Sequence, residues 1–323
     1  MVVQALLTLA VFTFILAKSS EAVVESASKL ARFFGISTLA IGMLLVAVST
    51  SLPELSVSVV SSAANEGAIA AGNVFGSNIA NILLILGLGA FFYGFRVGKD
   101  NLRDIGMVLL LTTAISAYII FHSLIFGNAL GAYEGILLLL IAGWYALRML
   151  SRKKIEGDPA DRKVSRREGL VAFLLFFCAI FAVLISSSFV VSSAVEIADA
   201  FGLAKSFIGA TIIAVGTSLP ELTIDLQAIR KKQYGLALGD AIGSNMINIT
   251  LVLGVAAAIN PITITLGVFN VALLFAVVAN IAFFYVAAVK RVFGRSEGIA
   301  MLLLYALYIV AIFYIQFSDI KVI

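Results

Sequence analysis

The sequence predicts an all-α polytopic membrane protein: ten transmembrane helices forming two inverted five-helix repeats, with the second and seventh helices broken. Three observations predict it. Of 323 residues, 62% are hydrophobic and only 12% charged, gathered in runs long enough to cross a bilayer. A polar motif, Thr-Ser-Leu-Pro-Glu, occurs twice, at 50–54 and 217–221, each time inside such a run. Basic residues cluster at alternate ends of the runs. A soluble chain with this pattern would lack a polar face, and a membrane barrel would show short alternating segments instead.

In chain order, spans are predicted over 3–28, 36–64, 68–93, 104–122, 130–149, 169–200, 206–229, 236–259, 264–289 and 297–316. Met1 to Ala17 has no basic leader or small-residue cleavage pattern, so it reads as the first span and not as a removed signal. Lys18, Glu21 and Glu25 fall at helical spacing there, as local pairs near one membrane surface or as carboxylates lining an access path. The only long polar stretch, Arg152 to Glu168, contains Gly157-Asp158-Pro159 and reads as a linker. Residues 1–150 then form the first repeat, 151–168 a cytoplasmic linker, and 169–323 the second repeat.

Placing the linker in the cytoplasm fixes the other spans by alternation. Between Arg148 and Arg167 lie eight basic residues. Lys29, Arg32, Arg96, Lys99, Arg103, Arg230, Lys231, Lys232, Lys290, Arg291 and Arg295 fall on the same side, which makes 19 of 22. Lys18, Lys205 and Lys321 are expected elsewhere, and both termini outside the plasma membrane. The formal charge of +4 therefore bears on orientation and not on nucleic acid. One cysteine, Cys178, allows no internal disulfide, and one histidine, His122, excludes multi-histidine metal motifs. Both read as ordinary residues, and Trp144 reads as an interface anchor.

An offset of 167 residues carries Glu54 to Glu221, Phe34-Gly35 to Phe201-Gly202, Ile41-Gly42 to Ile208-Gly209 and Gly72 to Gly239. It also carries Gly76-Ser77-Asn78 to Gly243-Ser244-Asn245, Asn81 to Asn248 and Leu86-Gly87 to Leu253-Gly254 without a gap. Five spans per half is an odd number, so the halves are expected to insert with opposite orientation about an axis in the membrane plane.

A carboxylate in mid-span costs roughly 2.5–3.5 kcal/mol on insertion scales, which marks Glu54 and Glu221 as functional candidates. Pro53 and Pro220 cannot donate to the carbonyls of Ser49 and Gly216, so each helix is expected to break there. The inverted halves bring both glutamates toward the midplane, where a cation removes their repulsion. The carbonyls of Ala47, Thr50, Ala214 and Thr217 are expected to point inward, and Ser51 and Ser218 add hydroxyls. Ser77 with Asn81, and Ser244 with Asn248, share helical faces as further donors or as interhelical hydrogen-bonding groups. Gly72, Gly76, Gly239 and Gly243 would let those helices approach the broken ones. An all-oxygen set suits a hard cation such as Ca2+ and argues against zinc or copper.

Duplicated Thr-Ser-Leu-Pro-Glu followed by Gly-Ser-Asn-x-x-Asn resembles the two alpha-repeats of the cation/calcium antiporter superfamily, nearest its prokaryotic sodium/calcium exchangers. The resemblance extends over the whole ten-span layout. It implies Ca2+ held by Glu54, Glu221 and the Thr50 and Thr217 carbonyls. Na+ sites would involve Ser51, Ser77, Ser218, Ser244 and the Ala47 and Ala214 carbonyls, and the first and sixth spans would slide. The implied activity is exchange of Ca2+ for Na+ by alternating access, with no cofactor, no enzymatic reaction and no obligate protein partner. The transported ions and membrane lipid are the expected partners.

The chain departs from the family's pattern at Asn248, where several exchangers carry an acid, so two core charges are expected and H+/Ca2+ exchange stays open. Ser49 stands opposite Gly216, Asp225 opposite Ser58, and Asp240 opposite Asn73. The two aspartates read as cap or vestibule charges, or as extra carboxylates on the permeation path. A passive cation channel is the rival from another class. An intramembrane hydrolase lacks its nucleophile and histidine set.

Overall fold

The computed structural model describes residues 2–126, 129–151, 164–201, 214–263 and 266–320. Helix α1 is Val2–Phe34. A bent pair follows, α2 (Thr38–Thr50) and α3 (Leu52–Ala63), at 45° to each other. The first half is completed by α4 (Gly67–Phe92), α5 (Lys99–Phe126) and α6 (Ala132–Leu150). The second half holds α7 (Arg166–Ala200), α8 (Ala214–Thr217), α9 (Leu219–Arg230), α10 (Tyr234–Ile259), α11 (Leu266–Val289) and α12 (Arg295–Ile320). Among the described residues, eight helices are long and apolar enough to cross a membrane, or nine if the bent pair is one span. Residues 202–213, with Gly202, Lys205 and Ile208-Gly209, lie outside the described residues, as do linker residues 152–163 and Lys321.

The breaks fall one residue before each Leu-Pro. Ser51 has φ −78° and ψ 6°, and Ser218 has φ −91° and ψ 13°. Proline then occupies the first turn of the following helix, where a missing N–H costs no hydrogen bond. The ladder resumes with Leu55 N–H to Ser51 C=O and Leu222 N–H to Ser218 C=O, both at 3.0 Å.

Among the described residues, three segments wind more loosely as π-helix: Gly42–Val46 in α2, Ala80–Ile85 in α4 and Asn248–Val252 in α10. Such segments are short and recur at functional sites. The buried Tyr145 hydroxyl on α6 donates to Met43 C=O in the first of them, at 3.1 Å.

The turns closing α3 and α9 repeat each other. Glu66 N–H returns to Ser61 C=O and Gln233 N–H to Ala228 C=O, each at 2.8 Å. Asn65 and Lys232 take the left-handed position, at φ 64° and 60°.

Helices α4 and α10 are central: 78% of their apolar windows is buried, against 17% for α1 and α12. Glycine makes the close approach of α10 to α2 possible. A Cβ on Gly243 would stand 2.6 Å from Met43 Cα, one on Gly42 would meet Leu236 O, and one on Gly239 would strike Leu39 O. The equivalent neighbours of Gly72 and Gly76 would fall on residues outside those described. Among the described residues, two ribbons, each of two short strands, pair one half with the other. In one, Phe95 pairs with Phe293, and in the other Leu130 pairs with Ile262. Outward-facing Leu6, Phe14, Leu140, Leu170, Leu274 and Leu303 leave an apolar perimeter suited to lipid.

Lys18 departs from the expected arrangement. It pairs with Glu21 at 3.2 Å, and Glu21 also meets Lys231 at 3.0 Å, so Lys18 joins a cluster expected on the opposite side. The 33-residue α1 puts Lys18 near its middle, and its long side chain turns toward Glu21. Lys231 further reaches Glu25 at 2.6 Å, so these acids bridge α1 to the end of α9. Cys178 is free and exposed, and His122 lies 3.6 Å from Glu134.

Candidate cation site

Both glutamates open the half-helix that follows a break, Glu54 on α3 and Glu221 on α9. They are 0% and 1% exposed. Ser77 on α4 donates to Glu54 Oε1 at 3.3 Å, and Ser218 donates to Ser77 Oγ at 3.4 Å. Around Glu54 the structure thus gathers Ser77 and Ser218, one from each half. Asn73 fixes the backbone below by donating to Glu54 C=O at 3.1 Å.

Thr50 forms a second group. Its hydroxyl lies 3.1 Å from Asp240 Oδ1 and 3.4 Å from Ser244 Oγ, while Ser244 donates to Asp240 Oδ1 at 3.3 Å. Asp240 and Asp225 are 0% exposed, so the cap or vestibule reading of these residues is corrected. The expected two core carboxylates become four. Both aspartates lie within predicted spans but only four residues from a span end, and only one repeat carries them, so the mid-span signal that marked the glutamates was weak here.

Asn81 and Asn248 belong to a four-asparagine cluster. Asn78 and Asn245 donate to each other's main-chain carbonyls at 3.2 and 3.0 Å. Asn81 donates to Asn245 Oδ1 at 3.1 Å, and Asn248 to Asn78 Oδ1 at 3.2 Å. The amide nitrogens of Asn81 and Asn248 thus join helices, while their own Oδ1 atoms meet no donor. Asn78 and Asn245 were legible as repeated residues, but nothing in their spacing marked them as partners.

The Ala47 carbonyl accepts Ser51 N–H at 3.0 Å, with the Thr50 hydroxyl 3.3 Å away, which leaves it a lone pair when that hydroxyl donates to Asp240. Thr217 ends α8 one residue before the second break, and Ala214 begins that helix. Among the described residues, Glu54 Oε2, Glu221 Oε2, Asp240 Oδ2, both Asp225 oxygens and Ser51 Oγ are buried without a hydrogen-bond partner. Acceptor oxygens orphaned in a membrane core are costly unless a positive charge answers them. Among the described residues no three His, Cys, Asp or Glu side chains converge as a ready metal cluster. A hard cation here therefore needs a mixed set of carboxylate, hydroxyl, amide and carbonyl oxygens.

A helical bundle with helix breaks beside buried, orphaned carboxylates defines a multi-pass membrane protein of the cation-transporter class. The chain belongs to the sodium/calcium exchanger protein family, whose model matches residues 4–150 and 171–314. It is 37% identical over 250 residues to the inner membrane protein YrbG of Escherichia coli, covering 75% of each chain. It is 29% identical to the sodium/calcium exchanger MaX1 of Methanosarcina acetivorans, covering 93% of this chain and 96% of that one. The structure of the sodium-calcium exchanger NCX_Mj superposes with a TM-score of 0.84 at 28% identity, over 96% of this chain and 99% of the other.

Proposed function

We propose that the protein is a secondary active antiporter that exchanges Ca2+ for Na+ across the plasma membrane by alternating access. The observation that carries this reading is that Glu54 and Glu221 each open a half-helix after a break, wholly buried and each with one oxygen left without a partner among the described residues. Ca2+ between them accepts up to four carboxylate oxygens, and the Thr50 and Thr217 carbonyls fill part of its six-to-eight requirement. Ser51, Ser77, Ser218 and Ser244, with the Ala47 and Ala214 carbonyls, take Na+ around it. Asn81 and Asn248 border the site. Ca2+ and Na+ then compete for one region, and its occupancy lets α1 and α7 move past the remaining core.

The ten-span inverted repeat is part of this proposal. Its support lies in pairs of hydrogen bonds that exchange under the 167-residue offset, such as Asn81 to Asn245 and Asn248 to Asn78. The equivalent turns ending α3 and α9 support it as well. Both termini then lie outside.

The test is Ca2+ uptake into proteoliposomes loaded either with Na+ at equal pH or with protons at equal Na+. Uptake driven by the outward Na+ gradient is expected. Uptake driven only by protons makes the protein an H+/Ca2+ exchanger, and uptake with neither gradient makes it a channel.

A further inference from the structure

Ser58 and Asn73 in the first half stand where Asp225 and Asp240 stand in the second. The first pair is neutral and closed: the Asn73 amide donates to Ser58 Oγ at 3.0 Å. The second half keeps the positions and changes the chemistry. Asp225 on α9 and Asp240 on α10 are wholly buried where these two helices pack against each other. Asp240 Oδ1 is occupied by the hydroxyls of Thr50 and Ser244. Among the described residues, its Oδ2 and both oxygens of Asp225 have no hydrogen-bond donor. Ionised carboxylates are acceptors only, so two of them brought together repel until a shared proton or a cation lies between. The Ser58–Asn73 pair shows that this packing needs no ion when its side chains are neutral.

We propose that Asp225 and Asp240 hold a second cation, Na+, beside the Glu54–Glu221 site and on one side only of the repeat. The choice of Na+ rests on the exchanger reading above. Ca2+ takes six to eight oxygens, whereas this pair offers three unoccupied carboxylate oxygens and the remaining lone pairs of two hydroxyls. A monovalent ion matches so small a set. One Ca2+ between the glutamates offsets their charge and leaves the aspartate pair uncompensated, and a Na+ held there halves that remainder.

The experiment is equilibrium binding of radioactive Na+ to the purified protein in detergent, without Ca2+, with wild type beside a double variant. Asp225→Ser with Asp240→Asn installs the first half's own neutral pair. Bound Na+ at saturation is expected to fall by one ion per chain, with elution volume and helix content retained. An equal count in the two proteins overturns the second site. A parallel titration in which radioactive K+ and not Na+ shows the loss overturns the assignment to Na+. The isosteric Asp225→Asn is measured alongside, and it too is expected to lose one ion; if the double variant does not fold, an unchanged count in Asp225→Asn overturns the site. Wild-type uptake in proteoliposomes is read separately. If no gradient-coupled uptake occurs but the Na+ count still falls by one, the exchanger reading fails and the cation site stands.

Discussion

Asn78 and Asn245, 167 residues apart, each donate a side-chain amide to the other's main-chain carbonyl, at 3.2 and 3.0 Å. The pair joins α4 to α10 with equal bonds in both directions. Each residue also accepts from the second asparagine of the opposite half. Truncating either one therefore orphans a buried amide donor, at a cost of about 1–3 kcal/mol. Asn78→Ala and Asn245→Ala are expected to destabilise the protein by similar amounts, and the double variant by less than their sum. Denaturation in detergent reads all three, and tolerance of one single variant but not the other would count against the reciprocal arrangement.

Glu54→Gln and Glu221→Gln keep the shape of the side chain and remove the charge that answers a cation. Each is expected to abolish Ca2+ movement while leaving the monodisperse, helical protein intact. Uptake at the wild-type rate in either purified variant would remove the proposed site.

The contact of α10 with α2 leaves no room for a methyl group at Gly243, whose Cβ would lie 2.6 Å from Met43 Cα. Gly243→Ala must push one backbone away from the other, and overpacking of this kind costs about 1–3 kcal/mol. A lowered midpoint of thermal unfolding is the expected result. A variant as stable as wild type would mean that the helices separate freely at this point.

Lys231 ties the end of α9 to Glu25 and Glu21 on α1. Burial by itself lowers the pKa of this ammonium, but the hydrogen bonds to Glu25 and Glu21 outweigh it, so the group titrates above the ordinary 10.5. A raised folded-state pKa means that the stabilisation is complete below 10.5 and fades as pH climbs through the higher folded value. Much of the pair is exposed, so the effect is small, about 0–1 kcal/mol. Wild type is expected to lose more thermal stability than Lys231→Met between neutral pH and pH above 10.5. Parallel pH profiles would show that the ion pair contributes nothing.

The sequence by itself determined the helical, membrane-spanning class, the repeat and the place of each break. These follow from local causes: apolar length sets a span, Pro53 and Pro220 interrupt an N–H ladder, and a 167-residue register is visible in the residue types. It also marked Glu54 and Glu221, because a carboxylate in an apolar run is conspicuous without any neighbour. Only the tertiary structure decided which polar groups meet. Thr50 reaches Asp240 across 190 residues and Asn78 reaches Asn245 across 167, and no local pattern encodes either contact. The π-helical segments beside Asn81 and Asn248 carry no signal of their own in composition. Asp225 and Asp240 look like helix-end charges in one dimension. They become core residues because α9 and α10 lie against each other inside the bundle, with their carboxyl groups turned inward.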